Sequence, residues 1–97
     1  MSEQFYDDEI APTLMALSKK CEAKGVPFLA LVEYEPGKFG CTEILPPVAT
    51  IGMRMAVWAA RANGNADSLI MAMQEHAREH GHNSACLHLL GVPAKPV

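Results

Sequence analysis

Between Val26 and Leu45 the chain runs "VPFLALVEYEPGKFGCTEIL", and no other stretch restricts its fold as strongly. Phe28, Ala30, Val32 and Tyr34 alternate with Leu29, Leu31, Glu33 and Glu35. A period of two belongs to a strand, here apolar on both faces at first and half exposed later. Pro36-Gly37 suits the central pair of a type II turn, because proline presets the first φ and glycine accepts the positive φ of the second. Gly40 adds a second flexible point, and Cys41–Leu45 is where a partner strand returns. A hairpin of two strands is marginal in water by itself, so helices must cover it or another subunit must extend it. The expectation is an α+β protein.

Both flanks of the hairpin carry helical patterns. In "DDEIAPTLMALSKKCEAKG", residues 7–25, the spacing four, three, four sets Ile10, Leu14, Leu17 and Cys21 on one face. Asp7, Asp8 and Glu9 suit the positive end of the helix dipole, Lys19, Lys20 and Lys24 the negative end, and Gly25 a left-handed cap. Pro12 lacks a donor and is tolerable only in a first turn, so the regular helix is expected to begin between Asp8 and Ala11. Beyond Pro46-Pro47, Thr50 is positioned to cap "IGMRMAVWAARAN", in which Arg54 and Arg61 share nearly one line and almost everything else is apolar. That helix is expected to be buried most of the way round. Asn63-Gly64 ends it and Asn65 caps "ADSLIMAMQEHAREH", making an αα-hairpin or helix-turn-helix. The order is helix, strand, strand, helix, helix: a single small domain over residues 1–97, with an ordered core at 6–90 and a tail at 91–97; the stretch "HNSACLHLLGVPAKPV" holds one short turn before Gly91 and two prolines fray it.

Composition limits the function. Ninety-seven residues, 49% hydrophobic and 20% charged, describe one globular domain. The apolar runs are too short for a membrane helix, and the first residues lack a basic-then-apolar leader pattern. Cys21, Cys41 and Cys86 are odd in number and show no CxxC spacing, which points to reduced, mostly buried thiols in a cytoplasm. A net charge of −3 argues against nucleic acid as a partner, since binding there rests on clustered Lys and Arg.

All four histidines fall in "MQEHAREHGHNSACLH". Leu69, Met73, His76 and His80 continue one stripe of the last long helix, so that stripe turns polar over its final two turns and the imidazoles need partners. His76-Ala77-Arg78-Glu79-His80 matches the inverted zinc-protease pattern H-x-x-E-H, but no acidic residue follows Glu79 to complete it and the chain is short. A structural zinc held by His76 and His80 with two of His82, Cys86 and His88 is a better form of the idea, although such sites usually carry paired cysteines. The preferred reading is a helix end without a cofactor: His80 at the C-terminus, Gly81 as the left-handed residue, His82 exposed after it. The helix-turn-helix alternative meets a recognition surface of Met71, Gln74, Glu75, Arg78 and Glu79, close to neutral and poor in phosphate donors. No Gly-rich phosphate cradle and no electropositive cysteine setting is visible, so no catalytic residue is assigned. Trp58 beside Arg54 and Arg61 is the candidate contact patch, because aromatic and Arg side chains are enriched in protein interfaces.

The runs "PFLALVEYEPGKFG" and "WAARANGNADSLIMAMQEHAREHGHNS" resemble small proteins encoded in tailed bacteriophages and prophages, over about residues 5–92. The resemblance implies a bacterial cytoplasm and an accessory role, such as modulating a host protein or defence, and it transfers no functional residues. The expectation is a non-enzymatic binding protein that contacts another protein, such as a bacterial host protein, and self-associates as a symmetric dimer.

Overall fold

A computed structural model describes residues 2–97. The elements are α1 (Ser2–Phe5), a π-helical segment (Tyr6–Ile10), α2 (Ala11–Lys24), β1 (Phe28–Glu35), β2 (Lys38–Ile44), α3 (Ile51–Ala62), α4 (Ala66–His80) and α5 (Ala85–Leu89). This is the expected α+β order, with a helical start before Asp7 and a short last helix added. Contacts gather in two compact units, Met1–Asn63 and Gly64–Val97.

In the first unit the regular helix begins at Ala11, inside the expected window, but the chain is already helical from Ser2. Asp7, Asp8 and Glu9 therefore lie in the π-helical segment rather than ahead of the helix. Pro12 explains the widening. Proline has no N–H to give the carbonyl four residues back, and its ring crowds that carbonyl; a wider turn relieves both problems. The Ala11 N–H accordingly reaches the Tyr6 carbonyl, five residues away, and the Thr13 hydroxyl donates to the Glu9 carbonyl at 2.9 Å. The helix ends where expected, at Gly25, with φ 68° and the Val26 N–H closing on the Cys21 carbonyl at 2.9 Å.

The inward face of α2 differs from the apolar spacing. Ser18 is buried, whereas Leu17 is 45% exposed. The Ser18 hydroxyl donates to the Met15 carbonyl at 2.8 Å, so a small polar side chain sits inside with its hydrogen bond made within the helix.

β1 and β2 pair antiparallel from Phe28↔Ile44 to Glu33↔Phe39, then shift to Glu35↔Lys38 around Tyr34. Gly37 has φ 78°, as the type II turn requires, and its N–H donates to a Glu33 carboxylate oxygen at 3.2 Å. The helical arm covers the face made by Val32, Tyr34 and Gly40: the Tyr6 ring stacks on Tyr34 at 5.1 Å and lies directly over Gly40, where any Cβ would collide with it. α3 lies against β1. Arg61 reaches Glu43, which shares the opposite sheet face with Leu29, so that face is half-buried at Leu29 and Glu43 and exposed at Leu31, Phe39 and Cys41.

In the second unit, Asn65 caps α4 as expected, its side-chain oxygen accepting from the Ser68 N–H at 3.0 Å. Ala77 is its buried residue. Ser84 caps α5, accepting from the Leu87 N–H at 3.1 Å. The tail does not fray. Val92 is buried with its N–H on the Leu87 carbonyl, Ala94 accepts from the His82 N–H at 2.9 Å, and the Val97 N–H returns to the Arg78 carbonyl at 2.9 Å. The prolines remove donors only at positions 93 and 96, and the N–H groups between and around them suffice to hold the segment.

Candidate functional site

The sequence predicts α3 to be buried most of the way round, and it is not. Val57 is fully buried, and Met53 and Ala60 beside it are half-buried. Ile51, Gly52, Met55, Ala56 and Ala59 are exposed. At about 100° per residue these five span an arc of roughly 140° opposite Val57, and none of them is charged. An ordinary surface helix puts its charged residues on that side. Both of α3's charges point elsewhere.

Those charges are Arg54 and Arg61, two of the three residues expected to form a contact patch. Arg54 is turned back on the loop before its own helix, Nε donating to the Ala49 carbonyl at 3.1 Å and Nη2 to the Pro47 carbonyl at 3.4 Å. Thr50 holds the cap position, with extended backbone and a carbonyl that accepts from the Arg54 N–H, but its hydroxyl makes no capping bond. Arg61 forks onto Glu43: Nε is 3.0 Å from Oε1 and 3.3 Å from Oε2, and Nη2 donates to Oε1 as well. This hydrogen bond is the main reason its guanidinium is held above its already high range. Trp58 is half-buried between the two on the helix surface. The arginines thus serve the protein's own loop and hairpin, and the free surface is the uncharged arc beside them.

Cys41 lies next to this pair on the open face of the hairpin. Burial pushes its thiol up, the neighbouring Glu43 carboxylate adds to the rise and accepts a long S–H hydrogen bond at 3.8 Å, and Arg61 pulls in the opposite direction. Such a thiol is the reverse of an activated nucleophile. Cys86 is also exposed and Cys21 half-buried, so the expectation of mostly buried thiols is not met; all three are free.

The histidines are dispersed in role. His76 and His80 stack at 4.3 Å, and His80 Nδ1 is 3.1 Å from the His76 carbonyl. Cys86 and His88 are exposed on α5. Among the described residues no group of three or more His, Cys, Asp or Glu is gathered to hold a metal ion, and we assign no metal centre to His76, His80, Cys86 or His88. Gly81 ends α4 with φ 82° but an extended ψ of 172°, not the left-handed turn expected. That extension carries the chain directly into His82, which is half-buried rather than exposed: the Ser84 N–H donates to its Nδ1 at 2.9 Å, and its Nε2 sits 2.9 Å from the Val92 carbonyl.

Comparisons with protein-family models, with curated proteins and with solved structures each find no match. No described helix is long and apolar enough to cross a membrane. Spacing alone missed the outer arc of α3, although its lack of charge was a signal: a helix apolar all round must be covered by something, in its own chain or another.

Proposed function

We propose that this is a small non-enzymatic binding protein that works by burying the outer face of α3 against another protein chain. One observation carries the reading, namely the exposed and uncharged arc of Ile51, Gly52, Met55, Ala56 and Ala59. Ile51 and Met55 are each about half exposed, and covering what remains is worth about 1 kcal/mol apiece. Gly52, Ala56 and Ala59 leave room for a partner's backbone, since the distance between packed helices is set by the side chains at the contact. Leu31 and Phe39 offer further apolar surface on the same unit.

The partner is a second copy, in a symmetric dimer, or a bacterial host protein. The first follows from isologous self-packing of one apolar face. The second rests on the resemblance to phage-encoded proteins and carries with it a bacterial or host-cell cytoplasm.

Ala59→Glu puts a charge near the centre of the arc, on the side of α3 away from Val57. Sedimentation of the wild type should show a dimer that this variant weakens at least tenfold, while Lys19→Glu on α2 leaves it intact. If the wild type is monomeric, a host protein captured by it must be lost with Ala59→Glu. A wild type that stays monomeric and retains no partner sensitive to that substitution sinks the reading.

A further inference from the structure

We infer that the C-terminal segment Val92–Val97 is a strap latched by a neutral His82, and that protonation of this imidazole releases it. The two ring nitrogens of His82 face main-chain groups whose roles cannot change. Ser84 N–H, 2.9 Å from Nδ1, can only donate; the Val92 carbonyl, 2.9 Å from Nε2, can only accept. Nδ1 therefore presents a lone pair and Nε2 carries the hydrogen, which selects one tautomer of the uncharged ring.

The same residue holds the strap a second time, its own N–H donating to the Ala94 carbonyl at 2.9 Å. The strap lies close enough to the helix end that a Cβ on Gly81 would come within 2.8 Å of the Ala94 oxygen and 3.2 Å of Pro96 Cδ. Further along, the Val97 N–H bonds to the Arg78 carbonyl at 2.9 Å. Val92, at the start of the strap, is 1% exposed.

A proton added to Nδ1 would point at the Ser84 N–H, replacing a hydrogen bond with two opposed donors. The titratable and charged groups on the surrounding segments are Arg78, Glu79 and His80 on the last turn of α4, Cys86 and His88 on α5, and Lys95 in the strap itself. All six are exposed, and none hydrogen-bonds or ion-pairs with the ring among the described residues. The nearest of them in sequence, His80, directs Nδ1 to the His76 carbonyl instead. Among the described residues no side chain accepts a hydrogen bond from the ring. The imidazolium must swing out, and its bond to Val92 goes with it. Protonation of the ring thus turns a closed strap into an open one and uncovers Val92.

Amide exchange followed by NMR on the full chain, with EDTA present, tests this directly. Between pH 7.5 and pH 5 the protection factors of the His82 and Val97 amides should fall at least tenfold, while amides in the middle of α4 keep theirs. Strap amides unprotected at pH 7.5, or equally protected at pH 5, overturn the inference, as does a loss shared equally by α4. His82→Gln offers a donor and an acceptor that do not titrate, so the pH dependence should vanish whether its strap is closed or open; persistence refutes the latch. His80→Gln and His88→Gln should retain the dependence, and its loss in either would assign the effect to another ring.

Discussion

Gly40 is the position where the hairpin and the helical arm approach most closely. Its role is space rather than conformational freedom, since the Tyr6 ring occupies the volume a side chain would need. Gly40→Ala should cost about 1–3 kcal/mol by overpacking, measured by urea unfolding. Most of that cost should disappear in a Tyr6→Ala background, because the two positions share one contact. Cys41 invites a different measurement. Burial and Glu43 both disfavour its thiolate, so the pH midpoint for alkylation of the folded protein should lie above that of the unfolded chain and move down in Glu43→Gln. The linked stability runs with the same sign: it is whole below the thiol range of the unfolded chain and declines as pH rises through that of the folded protein. At this scale the sequence was partly legible. Leu17 and Ser18 adjoin, and hydrophobicity favours the first as the inward residue, yet the serine is inside because its hydroxyl is already bonded to Met15 and its bulk is small.

Helix ends were legible where a cap needs only its own neighbours. Asn65 and Ser84 each accept an N–H three residues on, whereas Thr50 sits in the equivalent position without using its hydroxyl. Asn65→Ala should therefore destabilise the protein by about 1 kcal/mol and Thr50→Ala by much less, a contrast that thermal unfolding of the two variants resolves. A Thr50 variant as damaging as the Asn65 one would show that the hydroxyl does cap α3 in solution. Pro12 marked where the regular helix begins, but the π-helical segment ahead of it was not anticipated. A missing donor announces a defect in the ladder; whether the chain then starts afresh or continues as a wider turn depends on whether the preceding residues have something to pack on. Here Tyr6 packs on Tyr34 and Gly40.

For the whole molecule, the self-association proposed for α3 links stability to concentration. A dimer should unfold at a temperature that rises by several degrees when the protein is concentrated about a hundredfold, because association favours only the folded state. Ala59→Glu should abolish that dependence, and a wild-type Tm that ignores concentration would point to a heterologous partner. The element order, the hairpin with its Pro36-Gly37 turn, and the boundaries near Gly25, Asn65 and Gly81 were all determined by the sequence itself. Each depends on alternation, turn chemistry or hydrogen bonds spanning a few residues. Three features were decided only by tertiary structure: the engagement of Arg54 and Arg61 with the protein's own oxygens, the uncovered arc of α3, and the latching of the tail by His82. The physical reason is common to all three. A side chain's type states what it needs, an anion, an apolar cover or a donor and an acceptor, while which distant part of the chain supplies it emerges only when the chain has folded.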